Sequence, residues 1–537
     1  GSEEIYDFVQ DTVHTATNRH DRLKTDCLNA EVNYEDNTVS RYTREKFSFA
    51  GTWKSGVSDI TGDNAIFQKI KNSQWELKNY FNQLYTKEKY TWGIRLYIRY
   101  THCPASLTVA HRNLPILFAD NMLIANCIYH RNELSSPDNI SENTYRTVIG
   151  QTHESILAEY EEMNTGNAYT DNVLYGMRKI NGVNYQLTGG FCCELSSVKQ
   201  ENAYSAHSYS FYTVPRIEWE RNDFFFTAAT TVRWSHLPKQ SYSRFCVSPF
   251  FCFRYKFTPR WKMSLLGSLD ESEGGLKDIY PFRYREDYRT VVKHTGKVPV
   301  TVRQLYTCYL EYKNTIKEFF WTLSASYSHN RYNLITERNY KDGNFYLSSV
   351  ERNHSSHSYT LNTIGSKGIY DWNLKTSLEL TLARNEGKQL NEGIVQDYRY
   401  DYLCIEPKIV WAPSVFFEAE YKATVSCVGG GIGEDTSLDP LWEVAQRLTL
   451  SLEFHDTEFR LSGEHFYNDL SKNQHLNIWL ADVSLIHKVG KWRFAASAIN
   501  LFNKEQYRYT LYSAVQSYTS WIKLRPREFM VSVQYQW

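Results

Sequence analysis

The sequence predicts an all-β fold, an antiparallel transmembrane β-barrel of about 18 to 22 strands. Three observations carry the prediction: a last segment that alternates apolar and polar side chains to its final residue, segments of about ten residues with rings at both ends of one face, and connections of two contrasting lengths. In the last segment Phe529, Val531, Val533, Tyr535 and Trp537 share one face, with Met530, Ser532, Gln534 and Gln536 between them. A strand alternates faces with period two, so this segment has one greasy face and one wetter face.

Segment 90–101 is the clearest of the repeated kind. Tyr90, Trp92, Ile94, Leu96, Ile98 and Tyr100 make one face, and Thr91, Gly93, Arg95, Tyr97, Arg99 and Thr101 the other. Rings at both ends with aliphatic groups between suit a strand that runs from interface through hydrocarbon to interface. Arg95 and Arg99 then have to face a wet lumen, because a cation on the lipid side near midplane costs about 2–4 kcal/mol. Segment 247–257 repeats the grammar, with Phe251, Phe253, Tyr255 and Phe257 on one face and Cys252, Arg254 and Lys256 on the other. A turn at 258–260 leads into a return strand at 261–267. Further strands are expected at 303–313, 319–332, 373–383, 416–426, 447–455 and 492–500. Strands of about ten residues tilted near 45° are long enough to cross a bilayer.

The 60 basic and 60 acidic residues leave no formal charge, so the basic excess of a nucleic-acid binder is missing and no nucleic acid is expected as partner. The 41 Tyr, 28 Phe and 14 Trp, against 13 Pro in 537 residues, favour strands and aromatic girdles. Mean hydropathy is −0.54 and no apolar run of ~18 residues occurs, which excludes a membrane helix. A barrel stays open, since only alternate residues of its strands meet lipid. The first residues show no charged stretch followed by an apolar one, so no signal peptide is read there. The ten cysteines are irregularly spaced, include the adjacent Cys192 and Cys193, and form no C-x-x-C pair, so neither a disulfide framework nor a structural zinc site is expected.

Short connections such as 35–37 and 258–260 contrast with polar stretches at 55–73, 112–172, 271–299 and 429–443. That asymmetry matches short periplasmic turns and long extracellular loops. No repeat of 20–50 residues is present, which disfavours a propeller or solenoid. The chain is therefore read as a lead-in over 1–22 and one barrel over 23–537.

A terminal strand closing on an aromatic residue is similar to the assembly signal of bacterial outer-membrane barrels, which implies the barrel assembly machinery as a partner and outer-membrane lipid as surroundings. The C-terminal stretch 492–537 resembles TonB-dependent outer-membrane receptors, particularly the large Bacteroidota type. Asn500-Leu501-Phe502-Asn503-Lys504-Glu505-Gln506-Tyr507 is similar to the turn that precedes their last outer loop and last two strands. Segments 100–109, 259–262 and Asp287-Tyr288-Arg289-Thr290 also resemble pieces of that barrel. The resemblance implies a Gram-negative outer membrane and energised uptake of a nutrient too large for porins, a glycan, peptide or metal chelate. It also implies TonB and a surface lipoprotein as partners. The family carries an N-terminal plug inside the barrel, and strand signal here begins at about residue 23, so the chain reads as the barrel portion without the plug.

No constellation suggests an enzyme, and no motif calls for a cofactor. Adjacent strand residues point to opposite faces, so His455 and Asp456 do not make a natural dyad. The glycine-rich stretch 429–435 lacks the Lys-Ser/Thr of a phosphate loop and reads as a flexible outer loop. Glu154, Glu159, Glu161 and Glu162 lack the alternating pattern of a calcium loop and read as a solvated face. Arg95, Arg99, Arg254 and Lys256 are expected to line the lumen as contacts to a plug or ligand. The second reading is a structural or interaction barrel, one subunit of an outer-membrane assembly with its lumen filled by a partner chain.

Overall fold

A computed structural model describes residues 2–7, 12–62, 66–87, 90–111, 158–200, 203–286, 290–341, 344–433, 436–471, 474–512 and 516–535. Among the described residues the fold is all strand except for turns and three short 3-10 segments, Pro238–Gln240, Leu276–Ile279 and Tyr370–Trp372. The strands form one sheet of 26, joined almost throughout to their sequence neighbours in antiparallel ladders. Two of the 26, Tyr284–Arg285 and Thr290–Lys293, belong to a loop. Trp492–Ile499 with Gln506–Tyr512, and Gln516–Lys523 with Glu528–Tyr535, each continue along a single stave. Among the described residues the wall therefore has 22 staves.

The first strand bridges the two ends of the chain, while among the described residues no ladder joins Gln506–Tyr512 to Gln474–Val489. Ser2–Asp7 pairs on one edge with Thr12–Asn37 and on the other with Gln516–Lys523, Ser2 opposite Ser520 and Tyr6 opposite Gln516. Residue 22, where the lead-in was drawn to end, lies inside the strand Thr12–Asn37, because its polar side chains hide the strand in the sequence. Toward the end of the wall where Tyr535 lies, no ladder joins Glu528–Tyr535 to Thr12–Asn37 among the described residues. Two strand edges face an opening there, and Leu23 and Val531 are about four-fifths exposed, at 79% and 81%.

At the end of the wall where Tyr535 lies the described connections are tight, for example 181–182, 222–223, 415–416 and 490–491. At the opposite end Tyr90–His111 ends and Ala158–Ile180 begins, and the long connection 274–299 lies there. The stretches 55–73, 158–172 and 429–443 are not the linkers expected of them. Arg41–Gly62, Ile66–Lys87, Ala158–Ile180, Phe417–Ile432 and Thr436–Phe454 run through them as strand. Strands of 22 to 26 residues, such as Tyr90–His111 and Asn344–Ile369, are about twice what a bilayer needs. The surplus stands beyond the apolar band, where both faces are wet and the hydrophobic alternation lapses.

Within the band the alternation is strict. Trp92, Ile94, Leu96, Ile98 and Tyr100 are exposed on the outer face, while Gly93, Arg95, Tyr97 and Arg99 are covered to differing degrees on the inner face. From Tyr90 to Tyr100 the strand rises about 33 Å along its axis, or ~25 Å across a membrane at a tilt near 40°. Aromatic pairs mark the tight-turn border: Tyr85 stacks on Trp92 at 4.4 Å, Phe224 on Tyr255 at 4.4 Å, and Trp492 packs on Tyr535 at 4.8 Å.

Asn500 fixes the step between the two halves of the last hairpin. Its backbone takes φ of 53°, a conformation Asn tolerates better than most residues. Its amide donates to the carbonyls of Lys504 and Arg525, both at 2.8 Å, and its side-chain oxygen accepts from the Lys504 N–H at 2.9 Å. The Asn500 N–H in turn donates to Asp482 at 2.8 Å. The asparagine of the Asn500–Tyr507 turn is thus the bracket that joins two staves.

Two outcomes are expected. Asn500→Ala, which removes the side-chain partner of two carbonyls and one N–H of Lys504 and Arg525, should destabilise the barrel by roughly 1–3 kcal/mol, read as a lower temperature for loss of the compact band in unheated electrophoresis. In a cysteine-free background, Ile98→Cys should react with a membrane-dissolved maleimide and Tyr97→Cys only with a water-soluble one. Reversed labelling would contradict the alternation.

Candidate ligand-facing wall and outer rim

The inner face carries a polar belt that no sequence spacing reveals, because its members lie on different strands. Asp171 is opposite Tyr97 in one ladder and Cys192 in the next. Its carboxylate accepts from the Tyr212 hydroxyl at 2.8 Å and the Cys192 thiol at 3.2 Å, and lies 3.7 Å from Arg95. Tyr169 donates to Cys192 at 3.6 Å, and the Arg99 guanidinium lies 5.4 Å from the Tyr169 ring centre. Tyr212 reaches Asp171 by lying over Gly190, where a Cβ would stand 2.2 Å from the ring, so only glycine leaves room. The adjacent Cys192 and Cys193 point to opposite faces, as strand neighbours must.

The belt continues across the next strands. Arg233 donates to the Glu271 carbonyl at 2.9 Å and lies 3.7 Å from Glu273, while Arg244 donates to the Glu271 carboxylate at 3.0 Å. Arg254 lies 4.8 Å from the Phe225 ring centre, and Lys256 is exposed near the turn that follows. The structure brings Arg95 and Arg99 together around Asp171 and Tyr169, and keeps Arg254 and Lys256 on a separate strand, Tyr242–Lys256. One property spans the belt: the Nε–H groups of Arg99, Arg233 and Arg254 are buried without an acceptor. A buried donor left unpaired costs about 1–3 kcal/mol.

The rim is built from the connection 274–299 and the hairpin above Tyr332. Ile279 and Tyr280 are buried against Val198, Tyr204, Ala206 and Leu237, on the inner side of the rim. The Tyr280 hydroxyl donates to Gln200 at 2.9 Å. At its far end the connection adds Thr290–Lys293 in parallel to Phe345–Ser348. Asn333 ties the return: its side-chain oxygen accepts from the Val300 N–H at 2.7 Å and its amide donates to the Val298 carbonyl at 2.9 Å. A register shift between Tyr332 and Leu334 sits beside it. Beyond the shift Glu337–Arg338 pairs with Leu390–Asn391, a strand that below the shift is the neighbour of the other arm. The hairpin has exchanged its neighbours, as a two-stranded ribbon does when twisted by half a turn.

The terminal residues Phe529, Val531, Val533 and Tyr535 lie opposite Ala498, Ala496, Phe494 and Trp492, and all four are exposed. Trp537, Glu154 and 287–289 lie outside the described residues, and so do the side chains of Glu159 and Glu161. Glu162 is exposed on the strand Ala158–Ile180, which corrects its placement in a linker. His455 and Asp456 form the tight turn between Thr436–Phe454 and Thr457–Ser471, with φ of 51° at His455. Gly429–Ile432, read from sequence as part of a flexible loop, is strand.

No family model matches the chain, and no curated protein matches it. Among solved structures it is similar to the outer membrane transporter YddB from Escherichia coli, at 10% identity over 95% of this chain and 75% of that one, with a TM-score of 0.43. It is also similar to the copper transporter OprC, at 9% identity over 99% and 79% with a TM-score of 0.41. A third is a mutant of the ferric enterobactin receptor PfeA from Pseudomonas aeruginosa, at 9% identity over 96% and 81% with a TM-score of 0.38. Likeness at this level decides nothing by itself.

Asp171→Ala should lower the urea midpoint of unfolding in detergent by an amount corresponding to about 1–3 kcal/mol, because Arg95, Tyr212 and Cys192 lose their shared acceptor. Asp171→Asn should lie between this variant and the parent. A midpoint unmoved in both would mean that lumen water replaces the carboxylate.

Proposed function

We propose that this chain is the barrel of a TonB-dependent receptor in the outer membrane of a Gram-negative bacterium, taking up a nutrient too large for porins. The observation that carries the reading is a 22-stave wall whose inner face holds three buried guanidinium N–H groups without acceptors. Barrels of 16–18 strands already hold a water-filled channel, and those of 22 are plugged transporters. An open hole of that width would abolish the permeability barrier. A plug with carboxylates or backbone carbonyls against Arg95, Arg99, Arg233 and Arg254 would supply the acceptors and close the hole. Such polypeptide would also meet the two unpaired edges of Thr12–Asn37 and Glu528–Tyr535, since unpaired backbone in hydrocarbon costs several kcal/mol per group.

Ligand would be held by the rim and the plug, and TonB acting on the plug would open the path. A glycan, a peptide or a metal chelate fits a rim made of Tyr, Asn, Gln and Lys side chains. The terminal strand would be read by the barrel assembly machinery, and a surface lipoprotein would sit over the long-strand end. The second reading is a barrel subunit whose lumen a partner chain fills without transport. The same orphan N–H groups favour it equally.

Conductance and uptake separate the readings. Native complex in a planar bilayer should show little conductance, and cells should lose uptake of the cognate nutrient when TonB is removed. A blocked pore with TonB-independent growth would favour the assembly subunit. A stable, very large conductance of the native complex would remove both.

A further inference from the structure

The outer face is not uniform around the barrel. Across the strands from Phe319 to Ile432 the ladders align residues in rows, and the chemistry of the rows changes abruptly. One row is Ala325, Leu361, Leu382, Leu403 and Cys427, each directly opposite the next. The row above it, two residues further from the tight turns, is Tyr327, Tyr359, Arg384, Asp401 and Gly429. Within ~7 Å along the strands the surface passes from aliphatic to charged. Leu374 and Trp411 mark the tight-turn border of these strands, and Arg384 lies ten residues above Leu374, about the height of the apolar band.

A groove of about 810 Å³ opens at this step. Leu361, Leu382 and Leu403 line its lower part, and Arg384 and Arg399 its upper part. It exists because Gly429 and Gly430 put no side chain where the rows end beside Pro440. Gly430 is required: φ is 159° and a Cβ there would stand 2.1 Å from the Arg399 carbonyl oxygen.

Asp401 arranges the two cations. It accepts from Arg384 Nε at 2.6 Å and lies 3.0 Å from Arg399 Nε. One carboxylate thus holds two guanidiniums by their inner nitrogens, and both side chains remain about half exposed, at 50% and 52%. Their terminal nitrogens have no acceptor among the described residues. Glu386, opposite Arg399, and the ion pair of Lys388 with Asp397 at 2.6 Å balance charge further up, and His329 and His357 lie on the far side of Tyr359. Two guanidinium forks side by side match the oxygens of a phosphate. Directly below them lies a surface that suits acyl chains.

We propose that this groove binds a phosphate-bearing lipid, its phosphate between Arg384 and Arg399 and its acyl chains along Leu361, Leu382 and Leu403. The proposal rests on the reading that this face meets lipid, and not on uptake. The aliphatic row decides for a lipid over a free anion, which would gain nothing from it.

The test is native mass spectrometry of the full chain in non-ionic detergent, titrated with diphosphoryl lipid A, its dephosphorylated form and inorganic phosphate. Diphosphoryl lipid A should bind, and Arg384→Gln with Arg399→Gln should weaken it about tenfold or more, to the level of the dephosphorylated lipid. Gly429→Phe, which fills the groove and leaves every charge in place, should weaken it similarly. Retention of the compact band in unheated electrophoresis shows that each variant is folded. Equal binding by the double variant or by Gly429→Phe would overturn the proposal, and so would inorganic phosphate competing at equal concentration. Uptake assays on the same variants are independent: a barrel that binds the lipid and transports nothing leaves the groove standing while the receptor reading falls.

Discussion

The backbone hydrogen bond is the constraint on which the rest of this structure depends. In hydrocarbon no water can satisfy an exposed N–H or C=O, so strands can cross only as members of ladders that return on themselves. Pairing with both neighbours fixes each strand's register, and register fixes which side chains face lipid. Arg95 and Arg99 are inside because Ile94, Leu96 and Ile98 are outside, with no separate choice made for the cations. The ladder also dictates the joints. Where it steps aside, at Asn500 and near Asn333, an asparagine amide takes over the hydrogen bonds that the ladder gives up.

Legibility in the sequence followed the solvent. Inside the apolar band one face must be greasy, so 90–101 and 247–257 could be read residue by residue. Above the band water wets both faces, and the same strands lose their signature. That is why 55–73 and 158–172 looked like linkers although they continue Arg41–Gly62 and Ala158–Ile180. The glycines of 429–432 misled for a different reason: glycine signals a turn, yet here it removes side chains from a crowded outer row and permits φ of 159° at Gly430.

The candidate site was legible only in its first members. Arg95, Arg99 and Arg254 stood out as cations in apolar alternation, because their neighbours gave the face away. Asp171, Cys192, Tyr212 and Arg233 did not, since each is an ordinary residue in its own segment and gains meaning from the strand beside it. Glu271 shows the limit more sharply. The ladder between Tyr242–Lys256 and Trp261–Glu273 stops at Phe250 opposite Ser268, and Glu271 beyond it reaches Arg244 through a departure from regular pairing that no period-two pattern predicts.

Wall and rim belong to one sector of the barrel. The rim connection buries Ile279 and Tyr280 on strands 183–199, 203–221 and 224–237. Arg233 lies on the last of these and Arg254 on the next strand. The opposite wall carries inner ion pairs of Lys408 with Glu420 at 3.3 Å and of Arg447 with Glu464 at 3.4 Å. Two of the three unmatched donors, on Arg233 and Arg254, therefore lie on or beside the strands this loop covers. A loop that covers the inner rim, with buried polar atoms left without partners on Arg233, Arg254 and Glu273 below it, favours contact with an occupant on this side of the lumen. In a confined space such contacts are screened less than surface pairs. An occupant anchored on one side can be drawn away from it while the ladders of the opposite wall stay intact.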